Sequence, residues 1–371
     1  MKSTRMVGVL LLLAGIALAL TRDGQPARFW TAYFSFGLFF MTLSLGAFFL
    51  VALQHVCRAG WSVLLRRPLE HIAGAVPGLS LALLPLAAGL SVLYPWLWNP
   101  DPGWSPFKQV YLAPFAFQSR ALLYLMGWSL GAWWLRRQSL LQDQRRQSAI
   151  SGRVRSGSAA LLVWFAFSLT LAVFDWLMAL NPAWYSTIFG VYLFAGCCCG
   201  ALALWLLSTL AMGSIVSADH LHQLGKLQFG FSAFWAYIAF SQFLVIWYAD
   251  IPEETIWYAD RIAEGWLWLA IAVVATRFLL PFVLLLPRRN KRRRGVLATA
   301  AIISLAGHLL DLYWLIAPAF QSSFSPRLVE GALGLAWLGY FLVIVAGLGR
   351  RSSPIPLGDP RLQESLAWSE V

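Results

Sequence analysis

Two aspartates lie within apolar stretches of this 371-residue chain and share one polar pattern. Asp175 and Asp311 each follow a serine by seven residues and precede a proline by seven, with a second serine four residues further on. An ionisable side chain inside an apolar helix is costly and by default indicates function. His308 lies one turn before Asp311, and a carboxylate near an imidazole can pass protons when water reaches it. The pattern predicts proton exchange at Asp175, Asp311 and His308. The structural alternative is that each aspartate accepts hydrogen bonds from a neighbouring helix.

The elements that position these side chains are apolar helices. Hydrophobic residues make up 59% of the chain and charged residues 12%, against roughly 25% charged in an average soluble domain. This composition excludes soluble enzymes, nucleic-acid binders and disulfide-rich secreted scaffolds. Because a bilayer core about 30 Å thick needs about 20 apolar residues per helix, we expect an all-α polytopic membrane protein with about ten transmembrane helices. The expected spans are 6–21, 30–57, 72–96, 115–135, 158–180, 187–213, 225–249, 262–286, 296–317 and 330–349.

Lysine and arginine predict how these helices are oriented. The net charge is +12, and most of the 28 basic residues lie in the two termini and the even-numbered loops. Basic residues mark cytoplasmic loops, so we expect both termini to be cytoplasmic. The run 1–21 is either a retained first helix or a cleaved signal-like segment, and we expect it to be retained. The polar tail 351–371 is expected to be disordered or docked on a neighbouring protein.

The shared polar pattern also indicates an internal repeat. Its copies are Ser168, Asp175, Pro182 and Ser186, and then Ser304, Asp311, Pro318 and Ser322. Residues seven apart lie on one helix face, and four helices separate the two equivalent positions. We therefore expect two four-helix bundles related by a parallel repeat, with a flanking helix at each end. The expected division is one integral membrane domain over 1–350, comprising 1–21, a bundle over 30–180, a bundle over 187–317 and 330–349, followed by the tail 351–371.

The remaining polar residues lie toward the expected ends of the spans. Arg120 lies at the outer end of the fourth span, where an ordinary anchor is the simpler interpretation. Arg277 lies deeper and must pair with a carboxylate or with helix-end carbonyls that the sequence does not identify. His55 and His71 are best interpreted as solvated interfacial side chains. The expected inner-face polar group comprises Asp219, His220, His222, His55 and Arg277.

The sequence contains no pattern that binds a redox cofactor or a metal. Cys197, Cys198 and Cys199 are consecutive, so they point around a helix rather than toward one metal. There is no motif for covalent haem attachment and no iron–sulfur pattern. Electron transfer would therefore need a diffusible quinone or the cofactors of a partner protein.

Four segments of the chain carry a family resemblance. They read DHLHQLGKLQFGFSAFWAYIAFSQFLVIWYADIPEET at 219–255, KQVYLAPFAFQSRALLYLMGW at 108–128, FDWLMALNPAWYSTIFGVYLFAG at 174–196 and HLLDLYWLIAP at 308–318. From about the second span to the tenth, the chain resembles the F subunits of bacterial alternative complex III (ActF). These are related to the polysulfide-reductase and NrfD-type membrane proteins.

This resemblance implies a multi-pass subunit of a quinol:cytochrome c oxidoreductase in the bacterial cytoplasmic (inner) membrane, which oxidises menaquinol or ubiquinol. The implied partners are the C-type membrane homologue, an iron–sulfur subunit, multihaem cytochrome c subunits or a terminal oxidase, and lipid. Haem and iron–sulfur clusters would lie only on these partners, and the implied ligand of this chain is a quinone or quinol. Asp175, Asp311 and His308 become proton-exchange residues. The candidates for quinone contact are Arg120, Tyr111, Ser168 and Ser304.

Two other interpretations stay open. The chain departs from the family pattern at Ala113, Asn181 and Ala183, where polar or acidic residues are expected. These losses near the outer face favour a scaffold of the same complex that binds no ligand of its own. The intramembrane charges and the repeat are also compatible with an independent proton or solute transporter.

Overall fold

Helices are the only regular elements in the part of the chain that the computed structural model describes, which is residues 2–19, 26–145 and 148–369. Within these ranges, nine segments are long and apolar enough to cross a membrane. The prediction of an all-α polytopic membrane protein is confirmed. Some predicted features lie outside the described residues. They are positions 1, 20 and 21 of the first helix, positions 370–371 of the tail, and the basic residues Arg22 and Arg146.

The helices are named in chain order, and short 3-10 turns join several of them. They are α1 (Lys2–Ala19), α2 (Pro26–Val56), α3 (Val63–Ala73), α4 (Val76–Leu83), α5 (Leu90–Leu93), α6 (Pro106–Tyr111), α7 (Pro114–Arg145), α8 (Ser148–Trp176), α9 (Phe189–Leu210), α10 (Ala218–Ala249), α11 (Pro252–Ile262), α12 (Trp266–Val274), α13 (Leu280–Leu285), α14 (Arg294–Ile316), α15 (Leu328–Gly349) and α16 (Leu362–Leu366).

The third span is broken, whereas the sequence predicted one helix over 72–96. The segment Gly60–Leu93 contains α3, α4, a 3-10 turn over Leu84–Gly89 and α5. Pro77 lies at the start of α4 and Pro85 at the start of the 3-10 turn. Proline has no N–H to donate and cannot continue the helical hydrogen bonding of the preceding turn. The breaks therefore follow from the positions of the prolines.

A π-helical turn, Ala275–Leu279, joins α12 to α13 in the eighth span. It ends two residues before Pro281, which cannot donate a hydrogen bond to the carbonyl of Arg277 four residues earlier. Single π turns within helices are frequent at functional sites. The turn places Arg277, which is fully buried, in the interior of the span.

Two further segments differ from the prediction. The expected span 115–135 lies within α7, which is long enough to cross a bilayer but is not among the nine apolar segments of the described chain. The stretch between the expected spans 225–249 and 262–286 is not a plain loop, because residues 252–262 form α11. Trp257 and Arg261 of α11 are buried, so this helix packs onto the second bundle.

The long helices form two four-helix bundles, as the repeat predicted. The first contains α2, the segment Gly60–Leu93, α7 and α8; the second contains α9, α10, the helix pair α12–α13, and α14. The bundles meet where α2 packs on α9. There Gly46 permits close approach, because a Cβ atom on it would lie 2.1 Å from the carbonyl oxygen of Cys197. Helix α15 flanks α2, and α1 packs on α15.

The first helix packs against α15 through small residues. A Cβ atom on Gly15 would lie 2.4 Å from the backbone nitrogen of Ala336, and one on Gly339 would lie 2.3 Å from that of Leu12. Glycines let two membrane helices approach until their backbones touch. Helix α1 therefore packs closely along α15.

The described part of the tail, residues 351–369, docks on its own chain and is neither disordered nor displaced onto a neighbour. It lies at the basic end of the molecule, the end that carries the arginine-rich connections α7–α8 and α13–α14. Ser365 Oγ donates to the carbonyl oxygen of Trp61 over 2.7 Å and accepts from the backbone nitrogen of Leu64 over 3.0 Å. Asp359 forms an ion pair with Arg66. The tail therefore closes the basic end of the first bundle.

Candidate functional site

Asp311 lies in a buried polar cluster of the second bundle. Tyr192 of α9 donates a hydrogen bond of 2.5 Å to Asp311 Oδ1. Arg277 Nη2 lies 3.3 Å from Asp311 Oδ2, and the exposed fractions of the arginine and aspartate side chains are 0% and 2%. Arg277 is thus the counter-charge of Asp311. The expected place of Arg277 in the inner-face polar group was wrong, because the π turn directs it to the aspartate of α14.

In the described part of the chain, the guanidinium of Arg277 has N–H donors that are not satisfied by hydrogen bonds. Within the described residues, its Nε, Nη1 and Nη2 atoms have no hydrogen-bond partner, although Nη2 is close enough to Asp311 for an ion pair. The guanidinium also lies 4.8 Å from the ring centroid of Trp235. A buried donor without a partner is costly unless water or a ligand satisfies it. Arg277 therefore keeps N–H donors that the described residues do not satisfy.

His308 joins this cluster through a glycine of α9. Its Nε2 atom lies 2.9 Å from Thr42 Oγ1 of α2. A Cβ atom on Gly196 would lie 2.9 Å from Arg277 Nη2 and 3.3 Å from His308 Cε1, so both side chains rest against this position. No hydrogen bond joins His308 to Asp311 directly in the described ranges. The expected direct pair of Asp311 and His308 is therefore replaced by a group of three residues, in which Arg277 contacts the carboxylate of Asp311.

Asp175 of the first bundle is held by more donors than Asp311. Arg120 Nε and Nη2 donate to its two carboxylate oxygens over 2.9 and 2.8 Å, and Tyr124 donates over 2.9 Å. Arg120 Nη1 also donates to the carbonyl oxygen of Tyr111 over 2.7 Å. Burial, and then the carboxylate of Asp175, raises the pKa of Tyr111 to about 12, so this phenol stays neutral. Arg120 is therefore the partner of Asp175 and not an ordinary anchor.

The two clusters are related by the repeat but are not identical. In each, the arginine comes from the helix before the one that carries the aspartate: α7 before α8, and α12–α13 before α14. The tyrosines come from different helices, since Tyr124 lies on α7 and Tyr192 on α9. The bidentate pair in the first bundle is the tighter one, because paired N–H···O bonds add geometric specificity and energy.

The serines of the repeat hold helices together. Trp128 Nε1 donates to Ser168 Oγ over 2.8 Å, and Gln228 Nε2 donates to Ser304 Oγ over 3.1 Å. Both serines are buried. Neither contacts an aspartate through a hydrogen bond in the described ranges, so they tie α8 to α7 and α14 to α10.

An apolar groove of about 670 Å³ opens beside the second cluster, between α10 and α12–α13. Tyr192 and Trp235 lie on its wall, together with Tyr258 of α11. Burial raises the pKa of Tyr258 to about 12, which keeps its phenol neutral. Ligand sites commonly have volumes of about 300–1,000 Å³ and apolar walls with a few polar groups. The groove therefore suits an apolar ligand that presents a polar group to Tyr192.

The equivalent groove of the first bundle is smaller, at about 190 Å³. It lies between the segment Gly60–Leu93 and α7, and Tyr94 on its wall donates to the carbonyl oxygen of Trp176 over 2.8 Å. None of the four predicted candidates for quinone contact lines either groove; these are Arg120, Tyr111, Ser168 and Ser304. Sequence reasoning missed Tyr192 and Trp235, since neither stands out among the many aromatic residues.

The other members of the expected inner-face polar group lie in two places. Asp219 pairs with Arg292 over 2.7 Å. His220 Nδ1 lies 2.7 Å from Ser217 Oγ at the start of α10, and His222, two residues further along, is buried. His55 lies on a different cavity, beside the docked tail. The group is therefore two separate sites at the basic end.

A buried charge network at the basic end gave no clear signal in the sequence. Glu70 of α3 accepts from Arg66 over 3.2 Å, from Arg67 over 2.9 Å and from Ser139 of α7 over 2.9 Å. Arg67 also pairs with Asp143. The only indication was the charge-rich start of the third apolar run. The network links α3, α7 and the tail.

Within the described residues, no group of three or more histidine, cysteine, aspartate or glutamate side chains is placed to hold a metal ion. The thiols of Cys197, Cys198 and Cys199 are free and buried. Comparison of the chain with protein-family models and with curated proteins found no match.

Proposed function

We propose that this chain is a membrane subunit of a respiratory quinol oxidoreductase of the alternative complex III type, and that it binds quinol in the groove between α10 and α12–α13. One observation carries the assignment of the site. Tyr192 lies on the wall of the 670 Å³ groove and donates to the buried carboxylate of Asp311. The sequence resemblance supports the type of complex.

The residues of the cluster suit proton transfer from a quinol. Oxidation of a quinol to a quinone releases two electrons and two protons. In this proposal the electrons pass to cofactors on partner subunits. One quinol proton passes to the Tyr192 oxygen as the tyrosine proton passes to Asp311, and the other quinol proton is released to water. The positive charge of Arg277 stabilises the carboxylate before the transfer, and a positioned acid–base pair of this kind contributes about 10²–10⁴-fold to rate.

The proposal also covers the membrane that holds the chain, its orientation and its partner subunits. We place the chain in the bacterial inner membrane with both termini in the cytoplasm, because the basic end carries the arginine-rich connections and both described termini. The partners would be the C-type membrane homologue, an iron–sulfur subunit, multihaem cytochrome c subunits or a terminal oxidase. The quinol would enter from the lipid along exposed aromatic residues of the groove such as Tyr237 and Phe240.

The first bundle favours a structural contribution to the same complex. Asp175 is neutralised by a bidentate arginine, and its groove is small. An independent transporter is less well supported. Repeat-built transporters carry interrupted helices at corresponding positions of both halves. Here the interruptions fall on helices that are not equivalent, the segment Gly60–Leu93 and the pair α12–α13.

The test uses the tagged chain isolated from native membranes with its partners. A photoreactive quinone should label α10 or α12–α13, and the isolate should contain haem and oxidise quinol. Asp311→Asn should lower quinol oxidation by about 10²-fold. The matched control is Asp175→Asn, the other buried aspartate, which should keep its turnover per assembled complex. Label only on partner subunits, together with full turnover of Asp311→Asn, would leave the scaffold interpretation. A colourless homomer would overturn the proposal.

A further inference from the structure

A polar cavity of about 270 Å³ lies at the basic end, between the last turn of α2, the first turns of α8 and the docked tail. Four arginines line it: Arg58, Arg66, Arg155 and Arg361. Among the described residues, Asp359 is the one acidic side chain on its wall. This cavity is remote from the Asp311 cluster, which lies toward the opposite end of the second bundle. The proposed function does not use it.

The arginines of the cavity are not all neutralised. Arg66 pairs with Asp359 and with Glu70. Arg361 Nη1 donates a hydrogen bond to the carbonyl oxygen of Arg58. Within the described ranges, the guanidinium groups of Arg58, Arg155 and Arg361 have no carboxylate partner. Three positive charges therefore face one small cavity that holds a single, already paired carboxylate.

A buried amide provides a second, independent observation. The Gln54 side chain lies on the wall of the cavity, and only 8% of the residue is exposed. Its Oε1 atom accepts from Ser62 Oγ over 3.1 Å, whereas its Nε2 atom has no hydrogen-bond partner among the described residues. A buried N–H donor needs an acceptor. Here the acceptor that fits a donor surrounded by guanidinium groups is an anion.

We propose that this cavity binds a phosphate group, with Arg58, Arg155 and Arg361 supplying charge and Gln54 Nε2 donating a hydrogen bond. Guanidinium groups match phosphate oxygens in geometry and charge. The position favours a phosphate carried by an anionic lipid. Arg155 precedes the apolar part of α8, and Val163 and Phe167, two to three turns further along, are 60% and 69% exposed and can hold acyl chains. Basic pockets at the cytoplasmic side of helical bundles bind such headgroups.

The test measures lipid retention by the full chain, isolated with any partner subunits that it holds. After delipidation, native mass spectrometry follows titration with cardiolipin, phosphatidylglycerol or phosphatidylcholine. Arg155→Ala should weaken binding of the anionic lipids about fivefold, the effect of about 1 kcal/mol for one basic residue near an anionic headgroup. The matched control is Arg153→Ala, which removes an exposed arginine of the same helix that does not line the cavity.

A second variant, Gln54→Glu, tests the hydrogen bond without truncating the side chain. It keeps the oxygen that accepts from Ser62 and replaces the unpartnered donor with an acidic oxygen, so anionic lipid binding should fall more than in Arg155→Ala. Inorganic phosphate is the second probe. If it binds alone with the same dependence on Arg155 and Gln54, and displaces the lipid, the site stands and its ligand is free phosphate. Equal losses in Arg153→Ala and Arg155→Ala, no preference over phosphatidylcholine, or full binding in Gln54→Glu would overturn the proposal.

Discussion

The guanidinium of Arg277 lies 3.3 Å from the carboxylate of Asp311, and both side chains are buried inside the second bundle. A π turn positions the arginine, and the residue that completes the contact, Tyr192, reaches the wall of a large apolar groove. The equivalent pair in the first bundle, Arg120 and Asp175, is bidentate and has no groove of comparable size. The two copies of the repeat therefore each contain an ion pair, and in the described chain only the pair of the second bundle lies beside a large groove.

Removing the phenol oxygen of Tyr192 should test its role as proton carrier. Tyr192→Phe keeps the ring but removes the only hydroxyl that donates to Asp311 in the described chain. We expect quinol oxidation by the assembled complex to fall by about 10²-fold, the lower range for a positioned acid–base group. The measurement is steady-state quinol oxidation per haem. The matched control is Tyr248→Phe, which changes an exposed tyrosine of α10 that does not line the groove. Equal activities of the two variants would contradict the prediction.

Asp175 should matter for stability more than for turnover. Asp175→Asn leaves the Arg120 guanidinium without its carboxylate, and breaking a buried pair in this way costs about 3–5 kcal/mol. Because Arg120 is partly exposed, we expect a loss at the lower end of that range. Thermal unfolding of the detergent-solubilised protein measures it.

A double substitution measures the interaction between Asp175 and Arg120. In Asp175→Asn combined with Arg120→Gln no charge is left unpaired, so the double variant should be more stable than the sum of the two single losses predicts. Strict additivity would show that the two side chains do not act as a pair.

The contact between the bundles should tolerate no side chain at Gly46. The Cβ atom of Gly46→Ala would lie 2.1 Å from a backbone oxygen of α9, which cannot rotate away. We expect α2 and α9 to separate and the free energy of unfolding to fall by at least about 1–3 kcal/mol, the usual cost of overpacking. Gly230→Ala on α10 is the control, because a Cβ atom there meets nothing within 4 Å. Its stability should be unchanged or slightly higher, and a similar loss in both variants would contradict the argument.

Docking of the tail should depend on pH through Asp359. Burial by itself raises the pKa of this carboxyl, but the charge of Arg66 and its hydrogen bond outweigh burial, so the pKa lies below the ordinary value of 3.8. A carboxyl whose pKa is lowered in the folded protein stabilises it above the ordinary pKa. This stabilisation is lost as the pH falls through the lowered pKa. We therefore expect the tail to stay docked at neutral pH and to detach in acid.

A spin label on the tail measures this detachment. Leu357→Cys places the label at an exposed position, in a Cys57→Ser background that removes the exposed native thiol. The label should be immobile at neutral pH and become mobile in acid, whereas adding Asp359→Asn should make it mobile at neutral pH. A label that stays immobile in the Asp359→Asn variant would show that the ion pair does not hold the tail.

The sequence alone determined the fold class and the arrangement of the bundles. Long apolar runs in a chain with few charges can be satisfied only by membrane helices, because backbone groups in lipid must bond within their own helix. The repeated pattern around Asp175 and Asp311 predicted two bundles, since identical spacings place the same residues on the same faces of equivalent helices. The same pattern singled out both aspartates as candidate proton-exchange residues.

Only the tertiary structure decided the partners of these aspartates. Arg120, Arg277 and Tyr192 reach them from other helices, and such contacts depend on the rotation and depth of each helix in the bundle. In a membrane protein, apolar periodicity does not reveal that rotation, because surfaces that face lipid are as apolar as surfaces that face the core. For the same reason the groove beside Tyr192 and the cavity under the docked tail could not be predicted. Each is formed by segments far apart in the chain, which meet only after the helices pack.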